Sequence, residues 1–279
     1  MALKINISSE VGFCSGVKSA LKKAADATAR YQSVAMLGDI VHNEIVIQDL
    51  AQKGVSVIDA LDKVAKKTPI LFRSHGTPIA VWEKARELGL TIIDATCPLV
   101  REIHRIVKEL DREGRQVIIL GDKSHEEVEA IASQVKNAVV ISSVAEVCNT
   151  SFAKKVGIVV QSTLNLETAT AIVAEILERS EDLRFVNTIC RPTRKRQKQI
   201  RELAAANDVM IIVGSRSSAN TNRLTQIARA INPRTHLVSD ESELHNEWFQ
   251  NVGSVGVASG ASTPQTVVQK VVEKLSAIP

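Results

Sequence analysis

The strongest constraint in this 279-residue chain is a cysteine that recurs in three similar segments, residues 12–17, 94–99 and 187–192. In each segment the cysteine opens a long helical pattern, a glycine follows it at 24 residues, and a histidine or serine follows at 28. The matched positions are Cys14, Gly38 and His42; Cys97, Gly121 and His125; and Cys190, Gly214 and Ser218. The repeat lengths of 83 and 93 residues are too long for a solenoid. They predict three small α/β units arranged around a shared point.

Short apolar runs alternate with helical patterns throughout the chain, which predicts βαβ crossovers and parallel sheets. The predicted strands are residues 3–7, 34–37, 55–58, 69–72, 91–93, 116–120, 139–141, 156–160, 183–186, 209–213, 237–238 and 255–257. Aromatic residues make up only 3% of the chain, so Val, Ile, Leu and Ala must build the core, as in buried parallel strands. The fold class is therefore α/β, with three similar units and parallel sheets around a pseudo-threefold axis. Polar turns follow the strands, and ligands of such sheets bind beyond the strands' carboxyl ends, so we expect the active site at the centre.

The repeat places the units at residues 14–96, 97–189 and 190–279. Units one and two each close with a strand that leads into the next cysteine, whereas unit three ends after its last helix. The strand at residues 3–7 has no unit of its own and leads into Cys14. We therefore predict that the N-terminal segment 1–13 completes unit three, with strand partners in residues 208–258.

Composition narrows the class of protein. No N-terminal apolar core and no apolar stretch of about 20 residues is present, so we expect a cytoplasmic protein without a membrane contact. Four cysteines in that compartment are not expected to form structural disulfides. Cys148 matches no repeat, and we interpret it as a buried small hydrophobe. The formal net charge of +4 permits an anionic ligand without requiring nucleic acid.

The three repeated cysteines lie at helix starts, where the dipole favours a thiolate. One thiolate from each unit could hold an iron–sulfur cluster with one open iron, or a zinc ion together with one histidine. The spacing alone leaves both possibilities open. No CxxC pair is present, which argues against a zinc ribbon and a thioredoxin-type dithiol.

The polar loops favour an anionic ligand, because helix N-termini and side-chain donors bind phosphate. The candidate donors are His42, His75, Ser218, Asn220, Ser262 and Thr263. Neither a P-loop nor a dinucleotide-binding glycine motif is present, so a nucleotide site of either kind is disfavoured. Glu127 is the best internal acid, although a first-turn glutamate can equally be a solvated residue that favours the helix dipole.

Residues 191–201 carry six basic side chains on one helix. No aromatic residue is interleaved with them, so we interpret the run as a solvated basic face in preference to an RNA-binding patch.

Several segments together resemble one known family over essentially the whole chain. They are residues 12–17, 41–43, 74–76, 94–98, 125–128, 161–164, 189–190, 218–224 and 260–262. In order and in sequence they are similar to the 4-hydroxy-3-methylbut-2-enyl diphosphate reductases of the non-mevalonate isoprenoid pathway.

The resemblance implies a [4Fe–4S] cluster on Cys14, Cys97 and Cys190, with the substrate's hydroxyl on the open iron. Two electrons and protons would remove that hydroxyl as water and give isopentenyl and dimethylallyl diphosphates. The implied catalytic residues are Glu127 as proton donor, His125, and Ser162, which would orient the substrate oxygen. The implied substrate-binding residues are His42, His75, His125, Ser162, Ser218, Asn220 and Ser262. Ferredoxin or flavodoxin would supply the electrons, and neither nucleic acid nor a membrane would be a partner.

Two positions depart from the family pattern. Ala219 stands where a second serine is usual, which removes one phosphate donor, and Ser162 stands where threonine is usual, which removes a methyl that would fix the rotamer. Because neither change removes a cluster ligand or the acid, we expect an active enzyme. The alternatives are a zinc-stabilised binding protein without redox chemistry and an RNA-associated factor that uses the basic helix 191–201.

Overall fold

The computed structural model describes residues 3–65 and 67–278. The strands of that part of the chain are β1 (Lys4–Ile7), β2 (Val34–Leu37), β3 (Val55–Ile58), β4 (Ile70–Phe72), β5 (Ile92–Asp94), β6 (Gln116–Leu120), β7 (Val139–Ile141), β8 (Lys155–Val160), β9 (Asp182–Phe185), β10 (Val209–Val213), β11 (Thr235–Val238) and β12 (Ser254–Ser259). Its α-helices are α1 (Ser15–Arg30), α2 (Glu44–Gln52), α3 (Ile79–Glu87), α4 (Pro98–Arg112), α5 (Glu126–Ala132), α6 (Val144–Val147), α7 (Leu166–Leu177), α8 (Arg191–Ala206), α9 (Ala219–Ile231) and α10 (Gln265–Ser276).

The strands form three four-stranded sheets, and every strand pair is parallel. The strand orders are β3-β2-β4-β5, β7-β6-β8-β9 and β1-β12-β10-β11. This confirms the α/β class and the three similar sheets that the cysteine repeat predicts.

The chain divides into two compact units. The first contains the described residues of 1–17, 41–47 and 191–279, and with them the sheet β1-β12-β10-β11. The second contains the described residues of 18–40 and 48–190, and with them the other two sheets. The predicted domain bounds 14–96, 97–189 and 190–279 follow the repeat and remain a prediction; residues 1, 2, 66 and 279 lie outside the described part.

The N-terminal strand lies in the sheet of the C-terminal segment. Lys4 to Ile7 of β1 pair in register with Ser254 to Val257 of β12, and the N–H of Lys4 donates to the carbonyl of Gly253 at 3.0 Å. This confirms the predicted partners for that strand.

Aliphatic side chains fill the core on both faces of the sheets, as the low aromatic content predicts. All five residues of β10 are buried. One face of its sheet packs on α10 through Val268, Val271 and Leu275, and the other packs on α8 and α9 through Ile200 and Leu224. Because both faces are covered, the strand consists of apolar residues without alternation.

The sequence did not predict the four-residue helix α6 or the 3-10 turns at Leu61–Lys63, Glu241–Glu243 and Asn246–Phe249. These elements are too short for a 3.6-residue periodicity to develop. Among the described residues no helix combines the length and apolar character needed to cross a bilayer.

Candidate active site

The three repeated cysteines occupy equivalent places in the three sheets. In the second compact unit, the backbone N–H of Cys97 donates to the carbonyl of Ser74, and that of Cys190 to the carbonyl of Ser162, both at 3.0 Å. In the first compact unit, the N–H of Cys14 donates to the carbonyl of Ala261 at 3.1 Å. Each cysteine is half-buried, and none of the four cysteines, all of which are described, is in a disulfide.

Each of these bonds joins a cysteine loop to the polar loop that follows the central strand β4, β8 or β12 of a sheet. Carboxyl ends of parallel strands meet at one edge of a sheet, so cysteine and polar loop share that edge. The turns at Ser74, Ser162 and Ala261 are therefore equivalent in the three sheets.

Glu127 lies in the first turn of α5 and is only 2% exposed. Its Oε1 accepts from the backbone N–H of Ser162 at 2.6 Å, and its Oε2 accepts from the Ser162 hydroxyl at 2.8 Å. Burial raises the pKa of Glu127, although these two hydrogen bonds act to lower it. The alternative of a solvated first-turn acid is therefore wrong, and the carboxyl can hold a proton above its ordinary pH range.

Ser162 has an oriented hydroxyl although it lacks the methyl group of the usual threonine. Its Oγ lies 2.8 Å from Glu127 Oε2, so the hydroxyl is oriented without a γ-methyl group. The same residue contributes its carbonyl to Cys190. Ser162 thus connects the acid to a cysteine loop within one compact unit.

His125 lies beside this acid, and His75 lies beside His125. His125 caps α5, and its Nδ1 accepts from the backbone N–H of Glu127 at 3.1 Å. Because an accepting Nδ1 carries no proton, a neutral His125 has its proton on Nε2 and can donate from there. The His75 and His125 rings lie edge to face with centroids 5.6 Å apart.

An ion pair that the sequence did not indicate lies next to His75. Glu126 Oε1 accepts from Arg73 Nη1 at 2.5 Å, and Glu126 Oε2 lies 3.8 Å from His75 Nδ1. The Arg73 and Glu126 side chains are only 16% and 28% exposed, so solvent screens the pair incompletely. Arg73 precedes the Ser-His-Gly turn and Glu126 follows His125, and that adjacency was the available signal.

The first compact unit holds the remaining predicted residues. Ser218 caps α9 by accepting from the N–H of Thr221 at 3.3 Å. Asn220 is 6% exposed, and its Nδ2 has no hydrogen-bond partner among the described residues. The Ser262 hydroxyl donates to the carbonyl of His42 at 3.1 Å. A buried amide without a partner is costly, so Asn220 is suited to an anionic ligand that would complete its hydrogen bonding.

Two serines in the loop between β10 and α9 make contacts that the sequence did not indicate. The hydroxyls of Ser215 and Ser217 donate to Glu44 Oε1 at 2.9 and 3.1 Å. Burial would raise the pKa of Glu44, but hydrogen bonds from its own backbone and from both serines outweigh burial and lower it. Glu44 directly follows the Val-His-Asn segment, but nothing in the spacing pairs that segment with these serines.

Cys148 is exposed, so its interpretation as a buried hydrophobe is wrong. It caps the C-terminus of α6, where Val147 takes the buried position at 0% exposure. Arg179 Nη2 lies 3.7 Å from the Cys148 sulfur, just beyond the C-terminal end of α7. Helix α7 has 12 residues and is therefore about 18 Å long, which places Cys148 at the opposite end of that helix from Ser162.

The basic run on α8 is not solvated throughout. Arg196 is 4% exposed, whereas Arg194 and Lys195 are exposed as predicted. A periodicity of 3.6 residues turns Arg196 to the same side as the buried Thr193 and Ile200.

The chain matches established proteins over nearly its whole length. The family model described as LytB protein matches residues 5–276. The 4-hydroxy-3-methylbut-2-enyl diphosphate reductase of Geobacter metallireducens is 36% identical over 99% of this chain and 98% of its own. The enzyme of that name from Geobacter sulfurreducens is 38% identical over 98% of this chain and 97% of its own.

Solved structures agree with these matches. A structure of (E)-4-hydroxy-3-methyl-but-2-enyl diphosphate reductase, the terminal enzyme of the non-mevalonate pathway, is 36% identical with a TM-score of 0.73 and full coverage of both chains. The E-1-hydroxy-2-methyl-but-2-enyl-4-diphosphate reductase of Plasmodium falciparum is 28% identical with a TM-score of 0.96, covering 100% of this chain and 90% of that one.

Proposed function

The chain belongs to the LytB protein family, and from that membership we propose that it is a 4-hydroxy-3-methylbut-2-enyl diphosphate reductase. The observation that carries the proposal is the match over residues 5–276 and over almost the full length of enzymes with that activity. The reaction is a reductive dehydroxylation that gives isopentenyl and dimethylallyl diphosphates. The C–O bond breaks, one proton converts the leaving hydroxyl into water, and two electrons with a second proton form the product's new C–H bond.

A [4Fe–4S] cluster ligated by Cys14, Cys97 and Cys190 is the proposed cofactor. The donor set fits this group, because three half-buried thiols stand at equivalent sheet edges and each is anchored through its backbone N–H. When bound, such a cluster supplies single electrons and one iron without a protein ligand, which can act as a Lewis acid. Ferredoxin or flavodoxin is the proposed source of the electrons.

The proposed proton path runs from Glu127 to the substrate oxygen, with Ser162 beside it. Once protonated, Glu127 Oε2 can donate to the Ser162 oxygen, because a hydroxyl both donates and accepts. The Ser162 hydroxyl then no longer donates its hydrogen bond to Glu127. It can donate that hydrogen bond to the substrate's hydroxyl oxygen and so orient this oxygen. The raised pKa of Glu127 favours this protonated state.

The proposed diphosphate contacts are His42, His75, His125, Ser218, Asn220 and Ser262. Two features support them: the donor capacity of His125 Nε2, and the buried Nδ2 of Asn220 without a partner among the described residues. Ala219 contributes no donor, so fewer side-chain hydroxyls serve the phosphate here than in the usual family pattern.

Cysteine replacement tests the cofactor assignment. We expect anaerobically purified wild type to contain iron and acid-labile sulfide with broad visible absorption, and Cys14→Ser, Cys97→Ser and Cys190→Ser each to lose most of both. Cys148→Ser is the matched control, since that cysteine lies outside the repeat, and it should retain both. A colourless protein that binds zinc would contradict the assignment and favour the zinc-stabilised binding protein.

A further inference from the structure

The loop that carries Cys14 requires support from elsewhere in the chain. Residues 8–14 connect β1 to α1 without forming a strand or helix. Gly12 has φ +79°, a left-handed conformation that costs little only for glycine. Because these residues have neither the helical nor the strand hydrogen-bond pattern, we expect the position of the Cys14 thiol to depend on what contacts the loop.

Arg196 of α8 contacts this loop twice. Its Nη1 donates to the carbonyl of Glu10 at 2.8 Å, and its Nη2 donates to the carbonyl of Gly12 at 2.7 Å. The guanidinium is planar and presents its donors in a rigid fork, so two bonds fix both the distance and the orientation of the loop. Burying this cation at 4% exposure is costly, and the two charge-assisted bonds compensate for part of that cost.

The opposite side of the loop is held by residues at and after the end of β12. The N–H of Gly12 donates to the Ser259 hydroxyl at 3.0 Å, and the N–H of Cys14 donates to the carbonyl of Ala261 at 3.1 Å. Helix α8 thus binds the loop through the carbonyls of Glu10 and Gly12 and also through Gln199, whose Oε1 accepts from the Glu10 N–H at 3.2 Å. Residues at the end of β12 bind it through the N–H groups of Gly12 and Cys14. The backbone is therefore held on both sides of Phe13, at Gly12 and at Cys14, which carries the thiol.

The other two cysteine loops combine contacts within the loop with contacts from elsewhere in the chain, among them the sheet-edge bonds of Cys97 and Cys190. Before Cys97, the Asp94 carboxylate accepts from the N–H of Thr96 at 2.9 Å. Before Cys190, the Asn187 side chain accepts from the N–H of Ile189 at 3.2 Å. Both loops also have contacts from farther along the chain: Lys23 Nζ donates to the Asp94 carbonyl at 2.6 Å, and the Thr188 hydroxyl accepts from the Val160 N–H at 2.7 Å. The contact of Arg196 differs in kind, because one buried guanidinium binds two loop carbonyls more than 180 positions away.

We infer that Arg196 is a positioning residue that holds the Cys14 loop in the conformation needed for ligation of the iron–sulfur cluster. The inference rests on the proposed role of Cys14 as a cluster ligand. Arg196 belongs to the basic run 191–201 but is buried, and its function differs from that of a solvated face. Arg196 acts through the backbone of residues 10–12 and not through contact with substrate.

The experiment measures iron release from the reconstituted holoenzyme to a chelator under anaerobic conditions. We expect Arg196→Met to release iron about 10-fold faster than wild type, the lower end for loss of a group that supports a metal ligand. Arg196→Lys should fall between the two, because an ammonium retains the charge but cannot bridge two carbonyls as a fork. Arg194→Met, on the exposed side of the same helix, is the matched control and should match wild type.

Two further measurements separate positioning from general loss of stability. Leu275→Ala removes a fully buried side chain of α10 and serves as a destabilised reference that leaves the loop contacts in place. Backbone hydrogen exchange in residues 9–14 of the apoprotein should accelerate in Arg196→Met and not in Leu275→Ala. The electron paramagnetic resonance spectrum of the reduced cluster should change in Arg196→Met and not in Leu275→Ala.

The outcomes distinguish the inference from the function on which it rests. Iron release from Arg196→Met no faster than from Leu275→Ala, with iron retained by wild type, would overturn the role of Arg196 alone. A reconstituted wild type without iron would overturn the ligand role of Cys14, and the inference would fail with it.

Discussion

Glu127 and Ser162 form a two-residue unit in which burial and hydrogen bonding act in opposite directions. Burial raises the pKa of the carboxyl, and the N–H and hydroxyl of Ser162 lower it, with burial the larger effect. A carboxyl on the protein surface would remain ionised at neutral pH and would have no proton to give. The residue's proposed function therefore depends on its 2% exposure as much as on its identity.

We predict that Glu127→Gln retains its iron and its fold but loses most turnover. The amide oxygen can accept from the Ser162 N–H and the amide nitrogen can donate to the Ser162 oxygen, so both hydrogen bonds survive. An amide cannot deliver a proton, and general acid catalysis contributes about 10²–10⁴-fold. Steady-state turnover with a chemical reductant, alongside iron content, measures both parts. Turnover close to wild type would exclude Glu127 as the proton donor.

The same variant should alter how stability depends on pH. The folded-state pKa of Glu127 is raised above the ordinary value of 4.5, so the folded protein holds this proton more tightly than the unfolded chain does. The stability that results is fully present below pH 4.5 and is lost as the pH rises through the folded-state pKa. Glutamine does not ionise, so the stability of Glu127→Gln relative to wild type should increase from pH 4 to pH 8. Urea unfolding of both proteins across this range measures the difference, and a constant difference would contradict the raised pKa.

At the scale of elements, the first turn of α9 packs directly on the loop that follows β12. A Cβ added to Gly260 would overlap with Thr221 Oγ1 and would lie 3.3 Å from Thr221 Cβ. Thr221 is fully buried and directly follows Asn220, whose amide is a proposed diphosphate donor. The absence of a side chain at residue 260 thus sets where the start of α9 lies.

We predict that Gly260→Ala raises KM for the diphosphate substrate about 10-fold or more, since small displacements of binding groups have effects of this size. Overpacking should also lower the free energy of unfolding by about 1–3 kcal/mol. Gly253→Ala, beside β12 but at its other end, is the control, because its added Cβ would approach Asp208 Oδ2 no closer than 3.5 Å. An unchanged KM in Gly260→Ala would show that α9 does not depend on this close approach.

At the scale of the whole chain, β1 joins the N-terminal residues to the C-terminal segment. Without β1, the strand β12 would become an edge with unpaired backbone groups. Leu3 and Ile5 would also leave the cluster that contains Val255, Val257 and Leu275.

We predict that deleting residues 1–8 destabilises the sheet β12-β10-β11 selectively, by about 1–3 kcal/mol for the apolar burial that is lost. Hydrogen exchange should become faster in β10 and β12, and β6 in the same protein is the internal reference. Faster exchange confined to residues 15–95 would contradict the role of β1 in closing the C-terminal sheet.

The sequence by itself was sufficient to predict the strands, the main helices, the parallel sheets and the equivalence of the three cysteine loops. These features depend on local periodicity and on spacing that repeats along the chain, and both are visible without coordinates. The placement of β1 in the C-terminal sheet also followed, because the repeat left one strand without a unit and one unit without a strand. The family was recognisable for a related reason, since its motifs are short segments in a constant order.

Only the tertiary structure decided which polar side chains are buried and what they contact. The sequence left two environments open for Glu127 and indicated the wrong one for Arg196 and for Cys148, because a helical pattern shows which residues share a face but not what covers that face. The structure buries Glu127 against Ser162, turns Arg196 onto a loop more than 180 residues away, and exposes Cys148 beside Arg179. These contacts join residues with no periodic relation, and the chemistry that we propose depends on them because pKa and hydrogen bonding are properties of the surroundings.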